Sequence, residues 1–179
     1  MTDNGKHQDE LKAILRSHTK SAAGSSSPSP PKNGPESDQG ESSCAAFGYL
    51  RGLRDASASV EFRLRNGNSV WFPYHLLGPW QYDPSEGLLL KFSGDLMYLV
   101  LIRGSNLDKP LTDGSINLTH AGLQRHRVLW IREMTQEDIE RVGESGPTID
   151  SIEIGEFTSH DKRRDWLKKT APAFVRDEE

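Results

Sequence analysis

The longest apolar run in the chain, the seven residues from Leu96 to Ile102, sets the strongest constraint on the fold. No polar residue interrupts it, so a strand built from this run is apolar on both faces. Such a strand needs cover on both sides, which the closed wall of a small barrel, a docked helix or a second subunit supplies. The run is far shorter than the roughly 20 residues of a membrane helix, so the sequence predicts no membrane span.

The residues upstream of this run predict an amphipathic hairpin. Residues 59–65 place apolar side chains on one face and Glu or Arg on the other. Asn66-Gly67 follows, a dipeptide typical of a type I′ turn, in which both central residues have positive φ. The return strand, residues 69–74, contains Pro73, which has no amide hydrogen and therefore predicts an edge position.

Further strands follow at similar spacing. Residues 88–92 and 96–103 predict a second hairpin, residues 119–124 a short turn or helix, and residues 127–133 a final strand. Short strands separated by turn residues are typical of mainly β proteins. We therefore expect a small antiparallel barrel or a strongly bent sheet, with short flanking helices and a disordered N-terminal arm.

The order of a strand, the Asn66-Gly67 hairpin, a bent strand, a second hairpin and a final strand resembles that of small barrels of the Sm-like or SH3-like kind. The resemblance lies in topology alone. The glycine and Asp/Asn signatures of Sm-like RNA binders are missing, so no residue roles carry over from it.

Composition divides the chain into three parts. Only 34% of its residues are hydrophobic, so a core requires that they be concentrated. Residues 1–44 predict a short helix at 9–17 and a disordered linker rich in Ser, Pro and Gly, and residues 45–135 predict the β domain. Residues 136–179 hold 12 Asp and Glu against 7 Lys and Arg, which predicts an acidic and partly helical tail.

The predicted tail contains residues that mark the beginning of two helices. Thr135 is placed to cap a helix that ends near Val142, and Ser159 to cap a second helix from His160 to about Ala171. Between them, residues 149–157 alternate in polarity and predict an edge strand.

No catalytic, cofactor or metal signature is visible in the sequence. Phosphate-binding glycine loops, nucleophile elbows and zinc-protease motifs are missing, and the six histidines show no ligand spacing. Cys44 is the single cysteine and predicts an unpaired thiol in a reducing compartment. With no apolar segment after Met1, we expect a cytoplasmic, non-enzymatic protein, and an enzyme of unrecognised type is the least favoured alternative.

Two surfaces are candidates for binding. The two-faced strand predicts self-association into a homo-oligomer through Met97, Leu99 and Leu101, which makes a binding module with an unknown protein partner the leading interpretation. The alternative is a small β-barrel that binds RNA or DNA by stacking bases on aromatic rings beside cations. Its candidate residues are Arg63, Arg65, Trp71, Arg125 and Arg127.

Overall fold

The computed structural model describes residues 40–111 and 113–175. This part of the chain contains nine strands and two α-helices, α1 (Gln136–Val142) and α2 (His160–Thr170). The strands, in chain order, are β1 (Glu41–Ser43), β2 (Phe47–Leu50), β3 (Ser59–Arg63), β4 (Ser69–Pro73), β5 (Gln81–Asp83), β6 (Gly87–Ser93), β7 (Met97–Arg103), β8 (Val128–Arg132) and β9 (Ser151–Phe157).

The strands form two sheets. The first has the order β1-β2-β8-β3-β4 and the second the order β5-β6-β7-β9. All neighbours are antiparallel except β3 and β8, which run parallel. The prediction of a mainly β fold is confirmed. The closed barrel is not confirmed, because neither hydrogen-bonded strand order closes on itself.

The first predicted hairpin is confirmed as β3 and β4, with Glu61 opposite Trp71. Its turn differs from the predicted type I′. Gly67 has a φ of 87°, but Asn66 is not among the positive-φ residues. The Gly67 N–H donates to the Leu64 carbonyl, and the Leu64 N–H donates to the Asn68 carbonyl at 2.8 Å. This is a type I turn followed by a glycine bulge, which needs positive φ at one residue only.

The second predicted hairpin is confirmed as β6 and β7, and β9 pairs along the other edge of β7. Both predicted helix caps are present. The Thr135 hydroxyl accepts from the Asp138 N–H and the Ser159 hydroxyl from the Lys162 N–H. The predicted helix at 119–124 appears as a π-helical turn over Leu118–Leu123.

The main core lies between the two sheets and contains a cluster of aromatic rings. Phe72 of the first sheet stacks on Phe92 of the second with 4.5 Å between ring centroids. Phe62 lies edge-on to both rings, and Tyr98 contacts Phe72 edge-on. The three phenylalanines are buried, so ring packing joins the sheets by removing a large apolar area from water.

The opposite face of the second sheet is covered by the C-terminal part of the chain. Leu89, Leu99 and Leu101 pack there with Phe157 and Phe174, and Trp166 and Leu167 of α2 contact this cluster. Strand β7 therefore has the first sheet on one side and α2 on the other. Of the covers expected for a two-faced strand, the docked helix is the one present.

Two predicted domain boundaries need correction. Glu41–Ser43 forms β1 and pairs with β2, so the last residues of the predicted linker belong to the first sheet. The boundary at residue 135 does not separate a tail, because β9 completes the second sheet and α2 covers it. The predicted helix at 9–17 and the linker before residue 40 lie outside the described residues.

The longest helix in the described part of the chain is α2, with 11 residues. Within residues 40–111 and 113–175, none of the helices combines the length and the apolar character that crossing a membrane requires.

Gly87 and Gly67 make a matched pair for testing the fold. Both have positive φ, but a Cβ at Gly87 would lie 2.2 Å from the Ile102 carbonyl oxygen, whereas a Cβ at Gly67 would meet nothing within 4 Å. We expect Gly67→Ala to lower the free energy of unfolding by about 1 kcal/mol, the cost of the left-handed conformation. Gly87→Ala adds a backbone clash and should cost about 3 kcal/mol or more. Urea unfolding checks this, and equal losses would contradict it.

Candidate functional site

The outer face of the first sheet carries a large aromatic side chain that is exposed to solvent. Trp71 of β4 is 59% exposed. Glu61 of β3 lies opposite it, and Trp130 of β8 lies on the other side of Glu61. We use the term tryptophan face for this surface, which consists of Glu61, Arg63, Trp71, Trp130 and Arg132.

Trp130 lies against the backbone of the neighbouring strand because that strand has a glycine there. Gly48 of β2 pairs with Trp130, and a Cβ at Gly48 would lie 2.2 Å from the indole Nε1 atom. The register of β2 against β8 shifts just after Gly48. Such a bulge changes the direction of side chains. The half-buried indole thus occupies space that a side chain at residue 48 would otherwise fill.

Arg63 connects the aromatic and acidic members of the tryptophan face. Its guanidinium carbon lies 4.5 Å from the centroid of the Trp130 ring, within the range of a cation–π contact. Its Nε donates to the Glu61 carboxylate at 2.8 Å. This hydrogen bond lowers the pKa of Glu61 below its ordinary value, against burial, which raises that pKa. Glu61 is therefore charged at neutral pH.

Arg132 at the end of β8 is anchored in a similar way. Its Nε and Nη2 donate to the Ala45 carbonyl at 3.2 and 3.0 Å, and Nη2 lies 3.4 Å from the Asp138 carboxylate. Both cations of the tryptophan face thus have an acidic partner in the same chain, and the face is close to neutral.

The structure brings together two of the five residues predicted for nucleic-acid binding. Arg63 and Trp71 share the tryptophan face. Arg65 instead donates to the carbonyls of Met134 and Asp150 at 2.9 and 2.8 Å, and Arg125 lies in an exposed turn after the π-helical segment. Arg65 and Arg125 are therefore not part of the tryptophan face, because the β3–β4 pairing ends at Arg63 and Arg125 lies in the turn before β8.

Arg127, the fifth residue, is buried with 2% of its surface exposed. Its Nε donates to the Leu50 carbonyl at 2.9 Å and its Nη2 to the Arg51 carbonyl at 2.6 Å. A guanidinium in this position links the end of β2 to the start of β8. Its expected role in nucleic-acid binding is corrected to a structural one, because its donors face carbonyls inside the protein.

The predicted self-association residues lie under the chain's own helix. Leu99 and Leu101 are 2% and 0% exposed, and Met97 packs against the same cluster beneath α2. A second copy would reach them only after α2 had moved away. The sequence prediction of a two-faced strand was sound, but it left open which of the possible covers was used.

Glu61, Trp130 and Arg132 belong to the tryptophan face but were not among the predicted binding residues, and Trp130 is the aromatic one. The sequence places it on the final strand, but its position beside Glu61 depends on the parallel pairing of β3 and β8. Residues 61 and 130 are far apart in the chain, and no local pattern indicates that pairing. The glycine opposite Trp130 is also visible only once the register is known.

His120, His126 and Cys44 do not share a site in the described part of the chain. His120 Nδ1 lies 3.1 Å from Gln124 Oε1, whereas the His126 ring stacks on Tyr74. Across the described ranges, no three His, Cys, Asp or Glu side chains are grouped as metal ligands. Burial raises the pKa of the Cys44 thiol, which donates to the Phe47 carbonyl at 3.5 Å. A thiol with a raised pKa is a weak nucleophile at neutral pH.

The variants Arg127→Ala and Arg125→Ala compare a structural arginine with an exposed one. We expect Arg127→Ala to lower the free energy of unfolding by about 3 kcal/mol, because it removes a buried, packed side chain and the donors to the Leu50 and Arg51 carbonyls. Arg125→Ala should change it by less than about 0.5 kcal/mol. Chemical denaturation of both variants checks this, and a small effect at Arg127 would contradict its structural role.

No protein-family model matches the chain, and no curated protein or solved structure matches it either.

Proposed function

We propose that the protein is a non-enzymatic self-association module, and that two copies meet at β4, around Trp71. The observation that carries this proposal is the 59% exposure of Trp71 on an edge strand. Tryptophan and arginine are enriched among the residues that dominate protein interfaces. Leu53 is the other large hydrophobic side chain exposed in the described residues, and it lies in the turn between β2 and β3 rather than on a strand.

The hydrogen-bond pattern of the hairpin supports pairing at this edge. Leu64 bonds to Asn68 and Tyr74 bonds to Ala58 across β3 and β4. Because bonded and non-bonded pairs alternate in an antiparallel ladder, the N–H and C=O of Trp71 point away from β3. They face outward from the edge of the sheet, where an added strand would bond to them.

A two-fold axis at Trp71 would use these groups in both copies. Antiparallel pairing of the two β4 strands places Trp71 opposite its equivalent, with two N–H···O=C bonds between them. The Ser69 N–H of each copy then donates a hydrogen bond to the Pro73 carbonyl of the other copy. This bond does not require an amide hydrogen on Pro73. Pro73 limits the pairing to this short segment, since it offers no donor beyond it.

The charges of the tryptophan face suit a second copy better than a polyanion. Glu61 and Arg63 lie side by side, and Arg132 pairs with Asp138. A surface that carries both signs does not repel a second copy of itself across a two-fold axis as a surface of one sign would. A polyanion would have to compete with both carboxylates. A reducing compartment such as the cytoplasm suits the proposal, since Cys44 lies between β1 and β2, at the other edge of the sheet from β4, and the dimer needs no disulfide.

We expect the full-length protein to sediment as a concentration-dependent dimer of 20.0 kDa chains. Trp71→Lys should make it monomeric, because it removes the ring and places two like charges at the two-fold axis. Leu53→Lys is the matched control, because it changes the other exposed hydrophobic residue to the same cation and should leave the dimer intact. Analytical ultracentrifugation checks this.

A wild-type protein that stays monomeric at its highest soluble concentration would overturn the proposal, and so would a dimer that Trp71→Lys leaves unchanged. Circular dichroism of each variant establishes that the fold is retained. Ser69→Pro offers an independent check, since it removes an outward N–H without removing the indole, and we expect it to weaken the dimer.

Binding of single-stranded nucleic acid is a second candidate, and the stack of Arg63 on Trp130 beside the exposed Trp71 favours it. Bases stack on such rings while a cation contacts phosphate. Native mass spectrometry of the purified protein separates the two functions, since a bare dimer supports self-association and a monomer with added nucleotide mass supports nucleic-acid binding. In the second case, Arg63→Gln should reduce the salt dependence of the affinity.

A further inference from the structure

We propose that the groove between α2 and the second sheet binds a small amphipathic anion, which has a carboxylate or phosphate group on an apolar body. This site is distant in the fold from the β4 edge and does not depend on self-association. The groove has a volume of about 630 Å³, which lies within the range typical of small-molecule sites. It opens beside the N-terminal half of α2.

The floor of the groove is apolar. Leu89 and Leu99 come from the sheet, Leu167 from α2, and Phe174 from the turn after α2. Leu89 and Phe174 are 7% and 8% exposed, so they form the base of the groove rather than its rim. An apolar body placed against them would lose contact with water, which favours binding.

The rim of the groove is basic. Lys91 of β6 faces His160, Arg163 and Arg164 of α2, and Asp161 is the one acidic residue among those that line the groove. The ion pairs found within the described residues involve none of Lys91, Arg163 and Arg164. This differs from the tryptophan face, where each arginine has a carboxylate partner. The groove therefore has positive charge available for an anion.

Arg163 is the residue best placed to hold the anionic group. Its Nε atom is buried and has no hydrogen-bond partner in the described part of the chain. Its Nη1 contacts the Met97 thioether at 3.4 Å, and a thioether is a weak acceptor. A buried guanidinium donor without a good acceptor is costly. A carboxylate or phosphate supplies two oxygens that match the guanidinium fork.

The helix adds a smaller contribution of the same sign. His160 is the first residue of α2, and Arg163 and Arg164 follow within its first turns. The N-terminal end of a helix favours negative charge. The cations and the helix end thus favour an anion at the rim, while the apolar floor lies next to them. A bare ion would contact only the basic rim, and a neutral apolar molecule would contact only the apolar floor.

The test is isothermal titration calorimetry of the full-length protein with decanoate and decyl phosphate, each below its micelle concentration. Decanol has the same apolar body without the charge, and acetate and inorganic phosphate have the charge without the body. We expect one molecule of decanoate or decyl phosphate to bind per chain, about tenfold or more tightly than any of these three controls. The tighter of the two ligands identifies carboxylate or phosphate as the preferred group.

Variants separate the groove from general charge effects. Arg163→Gln should weaken binding of the tighter ligand by about tenfold or more, and Arg163→Lys should weaken it less because it keeps the charge without the fork. Lys168→Gln removes the same charge from an exposed position on α2 outside the groove and should leave binding unchanged. Lys91→Gln on β6 provides a second variant in case Arg163→Gln fails to fold.

Absence of binding, equal binding of decanol, or equal binding by folded Arg163→Gln and Lys91→Gln variants would overturn the proposal. The Trp71→Lys variant should bind the ligand as the wild type does. Failure of the dimer and failure of the groove are therefore distinguishable.

Discussion

The need to cover both faces of β7 determines most of this structure. The strand is apolar along its whole length, so neither face tolerates water without a large loss of free energy. The first sheet covers one face through the Phe62, Phe72 and Phe92 cluster, and α2 with Phe174 covers the other. The second sheet is consequently a central layer, and the C-terminal residues are part of the core rather than an appendage.

The outer face of the first sheet, unlike the two faces of β7, is not apolar and does not need to be covered. The candidate interaction surface lies on this outer face. Its inner side chains supply the core, while Trp71, Trp130 and Arg63 project from the other side. The pairing of each exposed arginine with a carboxylate keeps that face nearly neutral. Lys91, Arg163 and Arg164, for which the described residues show no acidic partner, lie instead at the groove under α2. The exposed indole and these cations are therefore on different surfaces of the molecule.

Local patterns predicted the local parts of this fold. Both hairpins and both helix caps follow from residues close together in the chain, and each is present. The turn at Asn66-Gly67 was wrong in type, because one positive φ at Gly67 is enough for the bulged turn that forms. Non-local pairing was beyond such patterns. The place of Trp130 and the burial of Arg127 depend on contacts with β3 and β2, which lie more than 60 residues from β8 in the chain.

The position of β8 between β2 and β3 has a consequence for the order of folding. During synthesis β2 and β3 emerge early, but they are not neighbours and have no direct pairing. They join into one sheet only after Val128–Arg132 has left the ribosome and entered between them. Until then the β3–β4 hairpin lacks its pairing with β8. Residues that are synthesised later must cover the apolar face of the hairpin. Pairings at such long sequence separation slow folding, so the nascent chain passes through a stage in which its phenylalanines are accessible to chaperones or to other chains.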